Sequence, residues 1–131
     1  MTNFNTTQIA ELTTTQTAGL TAAQLGAMTT AQAAALTTTQ VGVLTNVQVA
    51  GFVSTGISAL TTTDVSILAS QVAVLTTTGI VGLSTTAVAS LTTTQISVMP
   101  PQQFGALSTT QVTSLTSTQI GALSPSQVGS F

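Results

Sequence analysis

Large apolar side chains fall on a fixed beat along this chain. Leu, Met or Phe stands at Phe4, Leu12, Leu20 and Met28 and then at every eighth residue as far as Leu123 and Phe131. The one short interval is the seven residues from Leu68 to Leu75. Three residues before each of these slots, from Ile9 onward, lies a second apolar position, mostly Val or Ile and weak only at Thr17 and Ala33. The residue just before that second position is Gln in most copies, replaced by Gly56, Asp64, Gly79 and Ala87. The residue just after it is nearly always Ala, Gly or Ser. The residue following each slot is Thr, Ser or Asn, except at Val53, Ala69 and Pro100. Self-similarity held at one period is the mark of a solenoid. Residues 1–131 therefore read as a single octapeptide-repeat array.

The spacing limits what each octad can be. Its apolar positions alternate at intervals of three and five, both odd, so an unbroken strand would put them on opposite faces. In an unbroken α-helix eight residues advance about 800°, roughly 80° beyond two full turns, and the apolar stripe would wander around the helix. The chain must turn once per octad. Ser124-Pro125-Ser126-Gln127 reads as an N-cap serine, a proline at the first helical position and a glutamine at the third, which is a capping box. Pro100-Pro101-Gln102-Gln103 also permits a helix start, because proline is tolerated only in the first turn. The commoner Thr-Thr-Thr-Gln copies are versions of the same box. Past the cap, the two apolar positions lie three apart and share a helix face. The predicted fold is all-α, a solenoid of very short helices of roughly two turns, one per octad. Helices this short are marginal alone, so stacking between repeats must hold them, and the small residues would allow close approach.

A β-solenoid is the alternative, since Thr, Val and Ile favour strands and Thr-Thr-Thr corners with three octads per coil are conceivable. The recurrent Gln favours the capping box. One irregular place interrupts the array: a residue is missing near Ala69-Ser70-Gln71, where a cap belongs, which reads as a tolerated deletion in a turn.

Composition removes most chemistry. The chain has no Lys, Arg, His, Cys, Trp or Tyr, and its only charged side chains are Glu11 and Asp64, for a formal net charge of -2. Nucleic-acid binding needs cations to displace phosphate counterions, and anionic lipid makes the same demand. Disulfides and thiolate metal sites are excluded. A mean hydropathy of +0.57 is not matched by any stretch of about 20 apolar residues, so membrane insertion is not expected. The segment from Met1 to Gln8 lacks the basic and apolar regions of a cleavable signal peptide. Without a His or Lys base or a Cys nucleophile, no catalytic constellation can be assembled; the chain is not expected to be an enzyme, and neither a cofactor nor a metal is expected.

What remains is association. Near-neutral surfaces repel one another weakly, and the array stops in mid-octad at Val128-Gly129-Ser130-Phe131 while Asn5-Thr6-Thr7-Gln8 follows Phe4 at the other end. These residues make Phe4, Asn5, Gln8, Val128 and Phe131 the candidate assembly interface, with the chain itself as partner. Head-to-tail contacts do not close and build filaments. The expected function is a structural protein that polymerises into an extracellular filament or matrix. The alternative is a surface-binding module, either an adhesin stalk segment or, from its uncharged Thr arrays, an ice-binding protein.

The octad Leu-Thr-Thr-Thr-Gln-Ile/Val-x-Ala/Gly, as at Leu36 to Val43 and Leu91 to Val98, resembles the octapeptide tracts of very large secreted or surface adhesin-like proteins of Gram-negative bacteria. The resemblance runs over essentially the whole chain. It implies an extracellular or cell-surface location and export by a type I route.

Overall fold

A computed structural model describes residues 3–131, and at 69 and 70 the backbone alone. Met1 and Thr2, at the start of the segment without signal-peptide features, lie outside the described residues, as do the side chains of Ala69 and Ser70 at the deletion. The chain is a succession of very short helices with no strand among the described residues. In order these are α1 (Thr6–Ala10), α2 (Thr14–Ala18), α3 (Ala22–Gly26), α4 (Thr30–Ala34), α5 (Thr38–Gly42), α6 (Asn46–Ala50), α7 (Ser54–Ile57) and α8 (Thr62–Ile67). A 3-10 helix over Ala69–Val74 follows, then α9 (Thr77–Val81), α10 (Thr85–Ser90), α11 (Thr93–Val98), α12 (Pro101–Gly105), α13 (Thr109–Thr113), α14 (Ser117–Gly121) and α15 (Pro125–Val128). One helix per octad is what the spacing predicts. Strands were the wrong alternative, because the Thr-Thr-Gln segments satisfy their own backbone locally.

Each helix has four to six residues, so it is shorter than the two turns expected. The missing length goes into the corners. At Met99 (φ -71°, ψ 129°) and Pro100 (φ -64°, ψ 149°) both the slot residue and the cap residue are extended. Leu75 and Leu91 are likewise extended ahead of their caps. At these corners two residues redirect the chain. The expected capping boxes form on α1 to α6, α8, α11 and α13 to α15.

Each helix as far as α12 packs against the helix three octads further along. One coil is therefore three octads, or 24 residues, and the helices stack in three columns. The first column holds α1, α4, α7, α9, α12 and α15; the second α2, α5, α8, α10 and α13; the third α3, α6, the 3-10 helix, α11 and α14. The two apolar positions of each octad point inward and make one continuous core. Leu25, Val41, Val49, Ile80, Val88, Ile96 and Phe104 are fully buried, and Met28, Phe52, Leu68 and Met99 beside them nearly so. Thr17 is the polar exception at a core position. Its hydroxyl donates to the Thr13 carbonyl at 3.0 Å, so its burial leaves no unpaired donor.

The deletion is absorbed where it falls. Leu68 ends α8 still in the α region and leads straight into the 3-10 helix without an extended corner. A 3-10 helix rises about 2.0 Å per residue against 1.5 Å for an α-helix, so fewer residues span the side of the coil. Register is recovered at Leu75, whose N–H donates to the Val72 carbonyl at 3.2 Å.

Close stacking makes demands on some small residues. A methyl group on Gly51 would lie 2.7 Å from the Ala22 Cα, and one on Gly82 would collide with the Ser54 backbone. At both places a helix end meets the start of the helix one coil earlier, and only glycine fits.

Candidate assembly surfaces at the two end faces

The recurrent glutamine has two jobs, and the second was not legible as a capping signal. In α13 the Gln111 Oε1 accepts from the Ser108 N–H at 2.9 Å while the Ser108 hydroxyl accepts from the Gln111 N–H at 3.2 Å. That is the box. The Gln111 Nε2 then points towards the coil below, to the corner ahead of the helix that α13 stacks on, and donates to the Leu83 carbonyl at 2.8 Å and the Ile80 carbonyl at 3.1 Å. Those carbonyls end α9, one coil below, and a helix end leaves its last carbonyls without partners. One amide caps the start of its own helix and the end of another. The pattern repeats 28 and 31 residues back: Gln40 reaches Leu12 and Ile9, Gln119 reaches Leu91 and Val88, and Gln127 reaches Met99 and Ile96. A capping box accepts Glu or Gln, yet this position is never Glu. That preference was the available clue, since only the amide carries both an acceptor and a donor.

The two end faces are what this arrangement leaves over. In the first coil Gln8, Gln16 and Gln24 are exposed. Their Oε1 atoms accept from Asn5, Thr13 and Thr21 N–H at 2.8–2.9 Å, but no described group accepts from their Nε2. Gln32, the next, already donates to the Phe4 carbonyl at 2.8 Å. At the other end Ile120 is 46% and Val128 55% exposed, although the same position is sealed in the interior coils. The main-chain oxygens of Leu115, Leu123 and Phe131 receive no hydrogen bond from the described residues. A groove of about 240 Å³ opens on this face beside Phe104, Leu107, Val112 and Phe131. The Phe131 ring stands edge-on to that of Phe104, centroids 5.9 Å apart.

The predicted interface residues divide between these faces. Phe4, Asn5 and Gln8 lie on the first coil, where Asn5 caps α1 in a box with Gln8; Val128 and Phe131 lie on the last. Within one chain the two sets are not brought together. Gln16, Gln24 and Ile120, which share the faces, were not singled out by the sequence pattern because each looks like an ordinary repeat position.

The lateral surfaces offer little chemistry. Glu11 is exposed after α1 and Asp64 is buried in α8, and the described residues contain no group of three or more His, Cys, Asp or Glu that could hold a metal. A shallow depression of about 320 Å³ between α7, α9 and α12 is lined by Ser54, Thr77, Thr78, Val81 and Ala106, without a charged group. No described helix is long and apolar enough to cross a membrane.

Three helices per coil, stacked around one core and clamped by side-chain amides, define a helical repeat solenoid. Residues 97–131 match the family model described as ALTTAQ repeat, so α12 to α15 are similar to that repeat, and the same octad continues back through the preceding coils. No curated protein and no solved structure matches the chain.

Proposed function

We propose that this is a structural protein whose copies stack head to tail into a filament or matrix. The observation that carries this reading is the complementarity of the end faces: one presents three amides with nothing to donate to, the other an apolar strip with uncapped carbonyls. Inside the chain surfaces of the same kind meet where Gln40 and Gln48 reach Leu12 and Leu20, and again where Gln111 and Gln119 reach Leu83 and Leu91. An exposed face of this kind gains by finding its counterpart, and the counterpart sits at the opposite end of an identical molecule. Such a contact is heterologous and does not close on itself. The likeness of the octad to tracts of large secreted bacterial proteins supports an extracellular setting. The test is cryo-electron microscopy and sedimentation velocity across a concentration series. Regular filaments, with a subunit repeat continuing the coil, are expected; monodisperse particles at every concentration would defeat the proposal.

One observation favours a second reading, a module that binds an ordered surface such as ice. The second column presents a pair of threonines at the start of every helix: Thr14-Thr15, Thr38-Thr39, Thr62-Thr63, Thr85-Thr86 and Thr109-Thr110. The other two columns break this ladder with residues such as Ala22, Val47 and Pro101. The pairs are not consumed by capping, which uses the preceding Thr13, Thr37, Thr61, Ser84 and Ser108. Thermal hysteresis that disappears on replacing Thr39 and Thr86 with a larger residue would support this reading, and its absence in the unaltered protein would remove it.

A further inference from the structure

We infer that the junction between copies is an amide clamp in a single register, in which Gln8, Gln16 and Gln24 of one copy donate to the last coil of the next. This rests on the head-to-tail reading and specifies its chemistry. The register follows from a bond inside the chain. Away from the shortened octad the clamping glutamines reach the slot carbonyl 28 residues earlier, as Gln40 does at Leu12, Gln111 at Leu83 and Gln119 at Leu91; across it Gln71 meets Leu44 and Gln95 meets Val65 instead. Gln32 obeys the same rule within its own molecule by donating to Phe4 at 2.8 Å, which holds Phe4 in the place of a slot residue. The glutamine before it, Gln24, must then reach the slot that precedes Phe4 along the coil. In a stack that slot is Phe131 of the neighbouring copy.

Working back one octad at a time, Gln16 meets the Leu123 oxygen and Gln8 the Leu115 oxygen. The slot series across the junction runs Leu115, Leu123, Phe131 and then Phe4, Leu12, Leu20, with no position doubled. Joining Asn5 directly after Phe131 instead would place two phenylalanines in one slot. The three oxygens named receive no donor from the described residues, as is also true of the Leu107 oxygen, and the three glutamines are the ones without described Nε2 acceptors on the first coil. Chemistry and threefold placement agree, and the slot series selects this register over the one that pairs the glutamines with Leu107, Leu115 and Leu123. The same docking covers Ile120 and Val128, which their own chain leaves about half exposed.

The clamp is separable from folding, because Glu keeps the oxygen that the capping box uses and discards the donor. The informative variant is Gln8→Glu, Gln16→Glu, Gln24→Glu. Its control is Thr14→Glu, Thr38→Glu, Thr110→Glu, which adds the same charge to exposed helix starts where acidic residues are welcome. Far-UV circular dichroism confirms the fold of each, and sedimentation measures the critical concentration for assembly. Loss of three hydrogen bonds at a helix end raises it about 100-fold in the first variant, while the control assembles like the unaltered chain. If the glutamine variant assembles normally, or if the control is impaired equally, the clamp is wrong although head-to-tail assembly stands. If the unaltered chain never assembles, both proposals fall together.

Discussion

The regular end of the array and its irregular middle solve the same problem differently. From α13 to α15, Gln111, Gln119 and Gln127 each accept from their own cap and donate to the coil below. In the middle the two jobs come apart. Gln103 donates to Leu75 and Val72 at 2.7 and 3.0 Å, but its Oε1 is buried without a partner, because Pro100 at the cap has no N–H to offer. Asp64 shows the converse. Its Oδ2 accepts from the Thr61 N–H at 2.9 Å and the Thr61 hydroxyl at 2.7 Å, while Oδ1 is buried with no partner and a carboxylate has no donor for the coil below. Gly79 and Ala87 do neither job, leaving Thr76 and Ser84 to cap by hydroxyl alone. Gly56 has no room for a side chain, since a methyl there would sit 2.5 Å from the Phe52 ring. Local capping and the link between coils are thus independent contributions that the glutamine happens to combine.

That difference can be broken or sharpened by exchange. The largest effect is expected from Gln111→Leu, which strips the Leu83 and Ile80 carbonyls of a donor and the Ser108 N–H of an acceptor in a buried place. A loss of roughly 3 kcal/mol is expected, read as a lower urea midpoint with unchanged slope. Asp64→Gln should act in the opposite sense, replacing an unpartnered oxygen with a donor to the coil below, and raise stability by about 2 kcal/mol; an unchanged or lower midpoint would show that this column cannot admit the longer side chain. Pro100→Ser recreates at α12 the Ser-Pro start that α15 already uses. It returns an N–H to Gln103 Oε1 and is expected to add about 1 kcal/mol, measured as a rise in thermal midpoint. The smallest change of the three, it is also the one confined to the capping box.

Much of this was legible in the octad, and the reason is proximity. A cap, its box and two apolar positions three residues apart all lie within one repeat, so the pattern specifies them without reference to the rest of the chain. The Ser124-Pro125-Ser126-Gln127 start of α15 shows it: every group that builds it lies within four residues. The helix length was overestimated because the hydropathy period counts corner residues and helix residues alike. At the candidate interface Phe4 and Phe131 stood out as exposed ends of a regular series, whereas Gln16 and Gln24 are distinguished from Gln40 or Gln119 only by what lies beneath them.

The octad by itself therefore determined that the chain folds as short capped helices around an inward row of Leu, Val and Ile. That much depends only on side chains that are near one another in sequence. Only the tertiary structure decided that three octads make a coil, that a missing residue becomes a 3-10 side, and that the Gln Nε2 reaches a carbonyl 28 residues away. The angle turned at each extended corner sets the number of sides, and no hydropathy period encodes an angle. Once that angle stacks the helices, a side chain that looked purely local finds its second partner in another coil.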